Sequence, residues 1–437
     1  MDVATIKNSP VALTAPSNAV ARPAATQAPA ASAPASTDGV TLSATPAPAA
    51  PAASTTNANS APAGAAAPQP KDWTIITYFC SDNNLHDFEA NNLKDMEQVG
   101  GTKDMNLVAE FSNAPDGGGV VRYDVQKGGA KQVQDLGKDL NMSTPDSLAD
   151  CIKWAKANYP AKHYAVIMND HGNGWEGCCQ SESKDGWLTL PDVEEGVKKG
   201  MDGQQLDVLG FDCCLMSNSE NLDQIGQAAK FVVGSEETEG GPGWAYNQVM
   251  SSDTLRNLQK TERSGELTPE AFAKRIVTSA HGHDNDLPTM SAFDTSKTPA
   301  LMDAIKSFGQ AIINDKAVPN ATIAQAADSA QSFYLESDLS DFASKVADAS
   351  GDKDKALTAA AQGVQAAISN SLVAEEHSSK YPGAHGLTVE LTRQDGRGPQ
   401  KSINPDLATA HVDFGKYSDL RFAQDIGFNK AVDKFRS

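Results

Sequence analysis

Tyr164-Ala-Val-Ile-Met-Asn-Asp-His171-Gly172 and Leu206-Asp-Val-Leu-Gly-Phe-Asp212-Cys213-Cys214-Leu215-Met216 decide how this chain is read. Each is a short apolar run that ends abruptly in polar, reactive residues. Runs of this length, bounded by turn residues, are buried strands. In an open α/β sheet, the carboxyl ends of the strands are where ligands and chemistry sit. One strand would bring an imidazole to that edge and the other a thiol, and a thiol beside a general base is a cysteine nucleophile. Taken singly, a histidine is commonly a satisfied loop residue, and a free cysteine a small buried hydrophobe. The pair, on two strand ends of one sheet, carries more. Cys213 and Cys214 cannot both be the nucleophile, because consecutive strand residues face opposite ways. Spacing alone leaves open which one faces the cleft.

Outward from these motifs the pattern is regular. Thr74-Ile-Ile-Thr-Tyr-Phe-Cys80 reads as a first strand, and a helix is expected from Leu85 to Val99, ended by Gly100 and Gly101. Met105–Phe111 and Val120–Val125 read as strands, with the Gly117–Gly119 stretch as a turn between them. It lacks the lysine and following helix of a phosphate loop. Ser143-Thr-Pro-Asp146 opens a helix, with a capping residue and an early proline, that runs to about Tyr159. Helices are expected over Leu190–Lys199 and Ser217–Ala229, and a strand over Phe231–Gly234. This alternation predicts an α/β fold, a mostly parallel central sheet flanked by helices on both faces. After Thr254 the pattern becomes helix-rich, with one late strand at Gly386–Leu391. The expected organisation is a catalytic α/β core over residues 71–254 and a helix-rich continuation over 255–437.

Residues 1–70 differ from the rest. They are rich in Ala, Pro, Ser and Thr, hold no aromatic residue, and carry only Asp2, Lys7, Arg22 and Asp38 as charges. Such a stretch cannot bury enough apolar surface to offset the entropy of ordering it, so a disordered tail is expected. Its four charges cancel, and the net charge of −20 belongs to the remainder. Nucleic acid is not an expected partner, since phosphate contacts need a basic face. A negative field favours basic substrates at long range, besides aiding solubility. The sequence has no run of apolar residues long enough for a membrane span. The N-terminus lacks an apolar core of signal-peptide length, so a cytoplasmic location or a non-classical export route is expected. Six cysteines in 437 residues do not make a disulfide scaffold.

A cysteine hydrolase needs a histidine to take the thiol proton and backbone N–H donors for the oxyanion. Gly172, directly after His171, suits one donor, and the Cys214 amide the other if a helix starts just after it. A zinc site from His171, Cys178, Cys179, Cys213 and Cys214 is the main rival; zinc ligands are usually spaced, because adjacent side chains diverge. A serine hydrolase is disfavoured by the absence of a Gly-x-Ser-x-Gly elbow.

At these residues the chain resembles the clostripain family of cysteine peptidases, which share the caspase–gingipain–legumain fold. The resemblance spans most of residues 72–430. It rests on Tyr78-Phe-Cys-Ser-Asp82-Asn83-Asn84-Leu85, on Asn92-Leu-Lys-Asp-Met-Glu97, on Asp170-His171-Gly172-x-Gly174-Trp175 and on Gly210-Phe-Asp212-Cys213-Cys214-Leu215-Met216. Ser235–Glu239, Ser291–Asp294 and Tyr417–Ala423 are weaker echoes. The separation of His171 from Cys214 is also close to the caspase-type spacing of about 50 residues. The resemblance implies that Cys214, directly before Leu-Met, is the nucleophile, that His171 is the general base and acid, and that Asp212 lies in a pocket for the Arg or Lys side chain before the cut. It further implies protein or peptide substrates with basic residues and self-cleavage between His171 and Cys214, for which Lys184 is the candidate. No cofactor is required by the dyad; some family members need calcium, although no 12-residue calcium loop is present.

The chain departs from the family pattern at Asn169, where tryptophan is common, and at Cys178 and Cys179. It departs again at Gly240-Gly241-Pro242-Gly243-Trp244, where a second acidic wall residue is expected and not found, and in its N-terminal tail. The alternatives to a peptidase are a catalytically silent caspase-like binding or regulatory module, and a thiol redox protein using the vicinal cysteines.

Overall fold

The first apolar run folds as strand β1 (Lys71–Phe79), and its side chains leave alternately in opposite directions. Ile76, Tyr78 and Cys80 enter one buried cluster; Trp73, Ile75 and Phe79 enter another. The same parity governs the two motif strands. The computed structural model describes residues 69–251, 267–280, 288–334, 336–392 and 414–437. The segment expected to be a tail therefore lies, save residues 69 and 70, outside the described residues.

After β1 come α1 (His86–Val99), β2 (Met105–Ser112), β3 (Val120–Gln126), β4 (Gly129–Gly137), α2 (Pro145–Asn158) and β5 (Ala161–Asn169). A hairpin of β6 (Cys178–Ser181) and β7 (Gly186–Leu188) is followed by α3 (Leu190–Gly200), β8 (Leu206–Asp212), α4 (Ser219–Ile225), β9 (Ala229–Gly234) and α5 (Tyr246–Val249). Then follow α6 (Pro269–Ser279), β10 (Thr289–Asp294), α7 (Thr298–Asn314), α8 (Asn320–Ser329), β11 (Ser332–Phe333), β12 (Glu336–Asp338) and α9 (Leu339–Ser350). The chain closes with α10 (Lys355–Ser371), β13 (Leu372–His377), β14 (Thr388–Glu390) and α11 (Asn429–Phe435).

Nine strands form one sheet in the order β13-β10-β9-β8-β5-β1-β2-β3-β4. The five inner strands, β9, β8, β5, β1 and β2, are mutually parallel, and the pairings outside them are antiparallel. Buried side chains of α2, α3, α4 and α7 cover one face, and those of α1, α5 and α6 the other. This is the mostly parallel, doubly covered sheet expected. The order runs from β1 outward to β2 on one side and to β5, β8 and β9 on the other. The switch point thus falls between β1 and β5, where a crevice opens at the carboxyl ends.

The structure adds strands that the sequence pattern did not reveal. Residues 129–137 alternate little and are mostly exposed; β4 is an edge strand held by its pairing to β3. The β6–β7 hairpin is short and largely polar at its turn. β13 follows α10 with no breaker between them. Strands β10 and β13 lie beyond residue 254 and complete the same sheet, within one compact unit that spans residues 66–437. The late strand near Leu391 is only Thr388–Glu390, and it joins a separate three-stranded sheet with β11 and β12. The helix expected over Ser217–Ala229 is confined to Ser219–Ile225.

Candidate active site

Strands β5 and β8 are parallel neighbours in register, with Asn169 opposite Asp212. The residues just beyond, Asp170-His171-Gly172 and Cys213-Cys214-Leu215, are therefore delivered side by side. Their closeness is tight at the backbone. A Cβ on Gly172 would lie 2.3 Å from the Cys214 carbonyl oxygen and 2.9 Å from the Cys214 nitrogen. Only glycine lets the histidine loop press against the cysteine turn.

Strand parity settles which cysteine faces the cleft. Leu209, Phe211 and Cys213 point into the same buried cluster, and Cys213 is 1% exposed with its thiol directed at the Met168 carbonyl, 3.5 Å away. Cys214 alone of the six cysteines is partly exposed. Leu215, the next residue, has φ of 66°, a left-handed conformation that turns the chain sharply off the strand. The helix that was expected just after Cys214 begins only at Ser219, so this backbone turn, not a helix N-terminus, presents the Cys214 amide. The Cys214 sulfur accepts a hydrogen bond from the Glu239 amide at 3.4 Å.

His171 is held from the other side of the crevice. Its Nε2 is 2.8 Å from Asn84 Oδ1, on the loop that follows β1. With Nε2–H donating to the amide oxygen, Nδ1 keeps the lone pair. Asn84 is a residue whose role the sequence reading did not assign, although the Asp82-Asn83-Asn84 motif was visible. The neighbours brace the same loop: Asn83 Nδ2 donates to Asp170 Oδ1 at 2.7 Å, and the His171 carbonyl accepts from the Cys179 amide at 3.0 Å.

These residues line an open cavity of about 250 Å³, whose lining includes Asn84, Leu85, Phe88, His171, Asp212, Cys214 and Glu239. Asp212 is buried and accepts from Asn169 Nδ2, Tyr246 Oη at 2.9 Å and the Trp244 amide at 3.1 Å. Gly243, at φ of 62°, wraps over it so closely that a Cβ would sit 2.7 Å from the carboxylate. Asp212 thus anchors the Gly240–Trp244 loop. Glu239 supplies the second acid that the loop sequence lacked. Its side chain faces Asp212, with the Trp244 indole N–H beside it. Burial first, and then the Asp212 charge, push the Glu239 carboxyl well above the usual range. Glu89, fully buried on α1, adds a third carboxylate to this field.

Lys184 lies apart from this cavity, exposed on the turn between β6 and β7. That turn is clamped by Asp82, whose carboxylate accepts from Ser181 Oγ, Ser183 Oγ and the Ser183 amide. The zinc set of His171 with both vicinal cysteine pairs is not assembled. Among the described residues the one group with metal-ligand spacing is Cys80, Asp170 and Cys179.

A thiol and an imidazole at adjacent carboxyl ends of a mostly parallel, doubly covered sheet define the caspase-like class of cysteine-hydrolase scaffold. Residues 77–431 match the Clostripain family, and the chain belongs to this family of cysteine peptidases. Clostripain of Hathewaya histolytica is 24% identical over 299 residues, covering 55% of this chain and 56% of that protein, so the chain spans about half the length of this curated relative. Among solved structures, a secreted C11 cysteine protease from Bacteroides thetaiotaomicron, bound to an irreversible peptide inhibitor, aligns with a TM-score of 0.57 at 17% identity, over 83% of this chain and 99% of that one. An inactive zymogen C11 protease from Parabacteroides distasonis aligns with a TM-score of 0.56 at 16% identity, over 83% and 99%. These likenesses establish the fold.

Proposed function

We propose that the chain is an endopeptidase that cuts after Arg or Lys with Cys214 as nucleophile and His171 as its base. The supporting observation is one cavity lined by the single partly exposed thiol, the imidazole and an acidic floor. His171 Nδ1 takes the thiol proton, and the thiolate attacks the scissile carbonyl. The amides of Gly172 and Cys214 stabilise the oxyanion. The imidazolium then returns its proton to the leaving amine, and water, activated by the neutral imidazole, hydrolyses the thioester.

The cation of the residue before the cut enters the acidic floor. Asp212 already accepts from the loop it anchors, so Glu239 is the carboxylate that meets the cation first, with Asp212 behind it. A guanidinium matches such a paired acceptor in a dry pocket. The dyad needs no cofactor for these steps, and activity is expected to survive calcium chelation by EGTA.

Fluorogenic peptides ending in Arg, Lys, Gln or Leu test this reading. Hydrolysis of the Arg and Lys peptides alone, abolished by Cys214→Ala, supports it; a purified chain that cleaves none of them overturns it. Self-cleavage is proposed after Lys184, because an exposed turn between short strands is where proteases nick. Lys198 and Lys199 are less suitable, being within α3. Two fragments in the active chain, and one in both Cys214→Ala and Lys184→Ala, are the expected pattern; two fragments in Cys214→Ala would dismiss it.

A further inference from the structure

Four of the six thiols gather in one buried place that the proposed mechanism does not use. Beyond the last paired residues of β1, β5 and β8 come Cys80, Asp170 and Cys213. They continue the parity of Tyr78, Met168 and Phe211, so all three turn to the same face of the sheet. Backbone bonds from Cys80 N to Asn169 O and from Asp170 N to Asp212 O keep them abreast. The β6 strand brings Cys178 and Cys179 against this row.

Neighbouring strand residues normally diverge. Here β6 carries a register shift between Cys178 and Gln180, and Cys179 adopts φ of 64°. The irregularity sets the Cys179 thiol in polar contact with those of Cys80, Cys178 and Cys213. A non-glycine residue in this region carries a strain of about 1–3 kcal/mol and persists where the surroundings over-determine it. A second observation is independent of the sulfurs. Asp170 is 4% exposed, and its Oδ2 has no hydrogen-bond partner. The ligand atoms of Cys80, Asp170 and Cys179 all lie within 4.8 Å of one another. In a tetrahedral zinc site the ligand atoms stand about 3.3–3.8 Å apart, as bond lengths of about 2.0–2.3 Å require.

We propose that this cluster is a binding site for a thiophilic divalent cation of the zinc class, held by Cys80 Sγ, Cys179 Sγ and a carboxylate oxygen of Asp170, with the thiol of Cys178 or Cys213 as fourth ligand. A closed set of four protein ligands, with no open position, is a structural site and not a catalytic one. The cation would offset both costs, occupying the orphaned carboxylate oxygen and making use of the strained cysteine. The site sits directly beneath His171 and Cys214, the neighbours of Asp170 and Cys213. It would tie together the three strand ends that build the catalytic rim.

The test uses the full chain as Cys214→Ala, reduced and metal-free, so that metal captured by the nucleophile cannot contribute and the outcome is independent of peptidase activity. Anaerobic titration with cobalt(II) is expected to give one equivalent of a thiolate-to-cobalt charge-transfer band, discharged by zinc(II). Cys80→Ser and Cys179→Ser should each weaken binding by at least about 100-fold, while Cys151→Ser, a buried thiol elsewhere, should leave it unchanged. No charge-transfer band, or a band undiminished in both ligand variants, overturns the proposal. If the serine variants fail to fold, native mass spectrometry of the zinc-loaded Cys214→Ala chain decides. One bound zinc that excess chelator removes together with thermal stability supports the site; no bound metal, or a mass two protons lighter from a disulfide, overturns it.

Discussion

Replacing Glu239 by glutamine isolates the proposed recognition of a basic side chain. The Glu239 carboxyl is raised by burial and by Asp212 beside it. An arriving guanidinium favours the ionised form of both acids. Removing one charge of a buried, hydrogen-bonded pair costs about 2–5 kcal/mol, which is about 30- to 5,000-fold in rate or binding. The lower part of that range applies, because the glutamine oxygen still accepts and Asp212 remains: a fall in kcat/KM of about 30- to 200-fold on an Arg peptide. A Leu peptide should lose nothing. The sign of the pH effect follows from the raised carboxyl. Cation binding needs it ionised, so KM for the Arg peptide should decrease as pH rises, and Glu239→Gln should flatten that slope. Steady-state kinetics on matched Arg and Leu peptides across pH give all three readouts. A loss below about threefold on Arg, equivalent to well under 1 kcal/mol, or an equal loss on Leu, would refute the reasoning.

Other outcomes follow from the same geometry. Cys214→Ala should remove about 10⁴-fold or more of kcat/KM, while Cys213→Ala should keep activity within about tenfold and lose stability of about 1 kcal/mol, read by denaturant unfolding. Gly172→Ala places a methyl 2.3 Å from a backbone oxygen that cannot move alone; peptide hydrolysis should drop about 100-fold or more. Asn84→Ala frees the imidazole from its 2.8 Å contact, and kcat should fall with KM little changed. Away from the cleft, burial pushes Glu220 and Glu390 up to about 7 and Glu176 up to about 8. Between the ordinary carboxylate value and those values the native state holds protons that the unfolded chain has lost. Thermal stability should therefore decline as pH rises from about 5 to 8, and Glu220→Gln with Glu390→Gln should reduce the decline; a melting temperature that rises over this range would contradict it.

How far the sequence could carry the reading depended on where the signal was local. The apolar runs at Thr74–Cys80, Tyr164–Asn169 and Leu206–Phe211 announce the inner strands, because strands buried on both faces are continuous in apolar character. Ser143-Thr-Pro-Asp146 announces α2 by its capping residues and proline, and in the structure it is Thr144 whose side chain accepts from the Ser147 amide. Edge strands carry no such signal: β4 is polar, and its structure comes from pairing with β3. That His171 and Cys214 end apolar runs was legible, and the structure sets those two strands side by side. The site was not legible where contacts join distant segments. Asn84 meets His171 across 87 positions, and Glu239 meets Asp212 through a loop whose path no local pattern sets. The second acid was sought in Gly240–Trp244 and lies one residue before it.

Parity also divides the chemistry of this molecule. At the end of β5, Asn169 faces the cavity with Asp212, Asp170 faces the thiol cluster with Cys80, and His171 leaves the strand altogether. At the end of β8, Asp212, Cys213 and Cys214 divide in the same way. Three consecutive residues at each strand end thus face, in turn, the acidic side of the cavity, the buried core and the loop beyond the strand. Because side chains alternate with a period of two, a slip of one residue in β8 would send a thiol to the acidic pocket and a carboxylate into the thiol cluster, burying a charge with no donor. The apolar residues upstream prevent the slip: Leu209 and Phe211 on one side, and Val208 with Gly210 on the other, where a Gly210 Cβ would stand 2.9 Å from the Trp244 ring. The register that packs the core is therefore the same register that buries Cys213 and leaves Cys214 partly exposed.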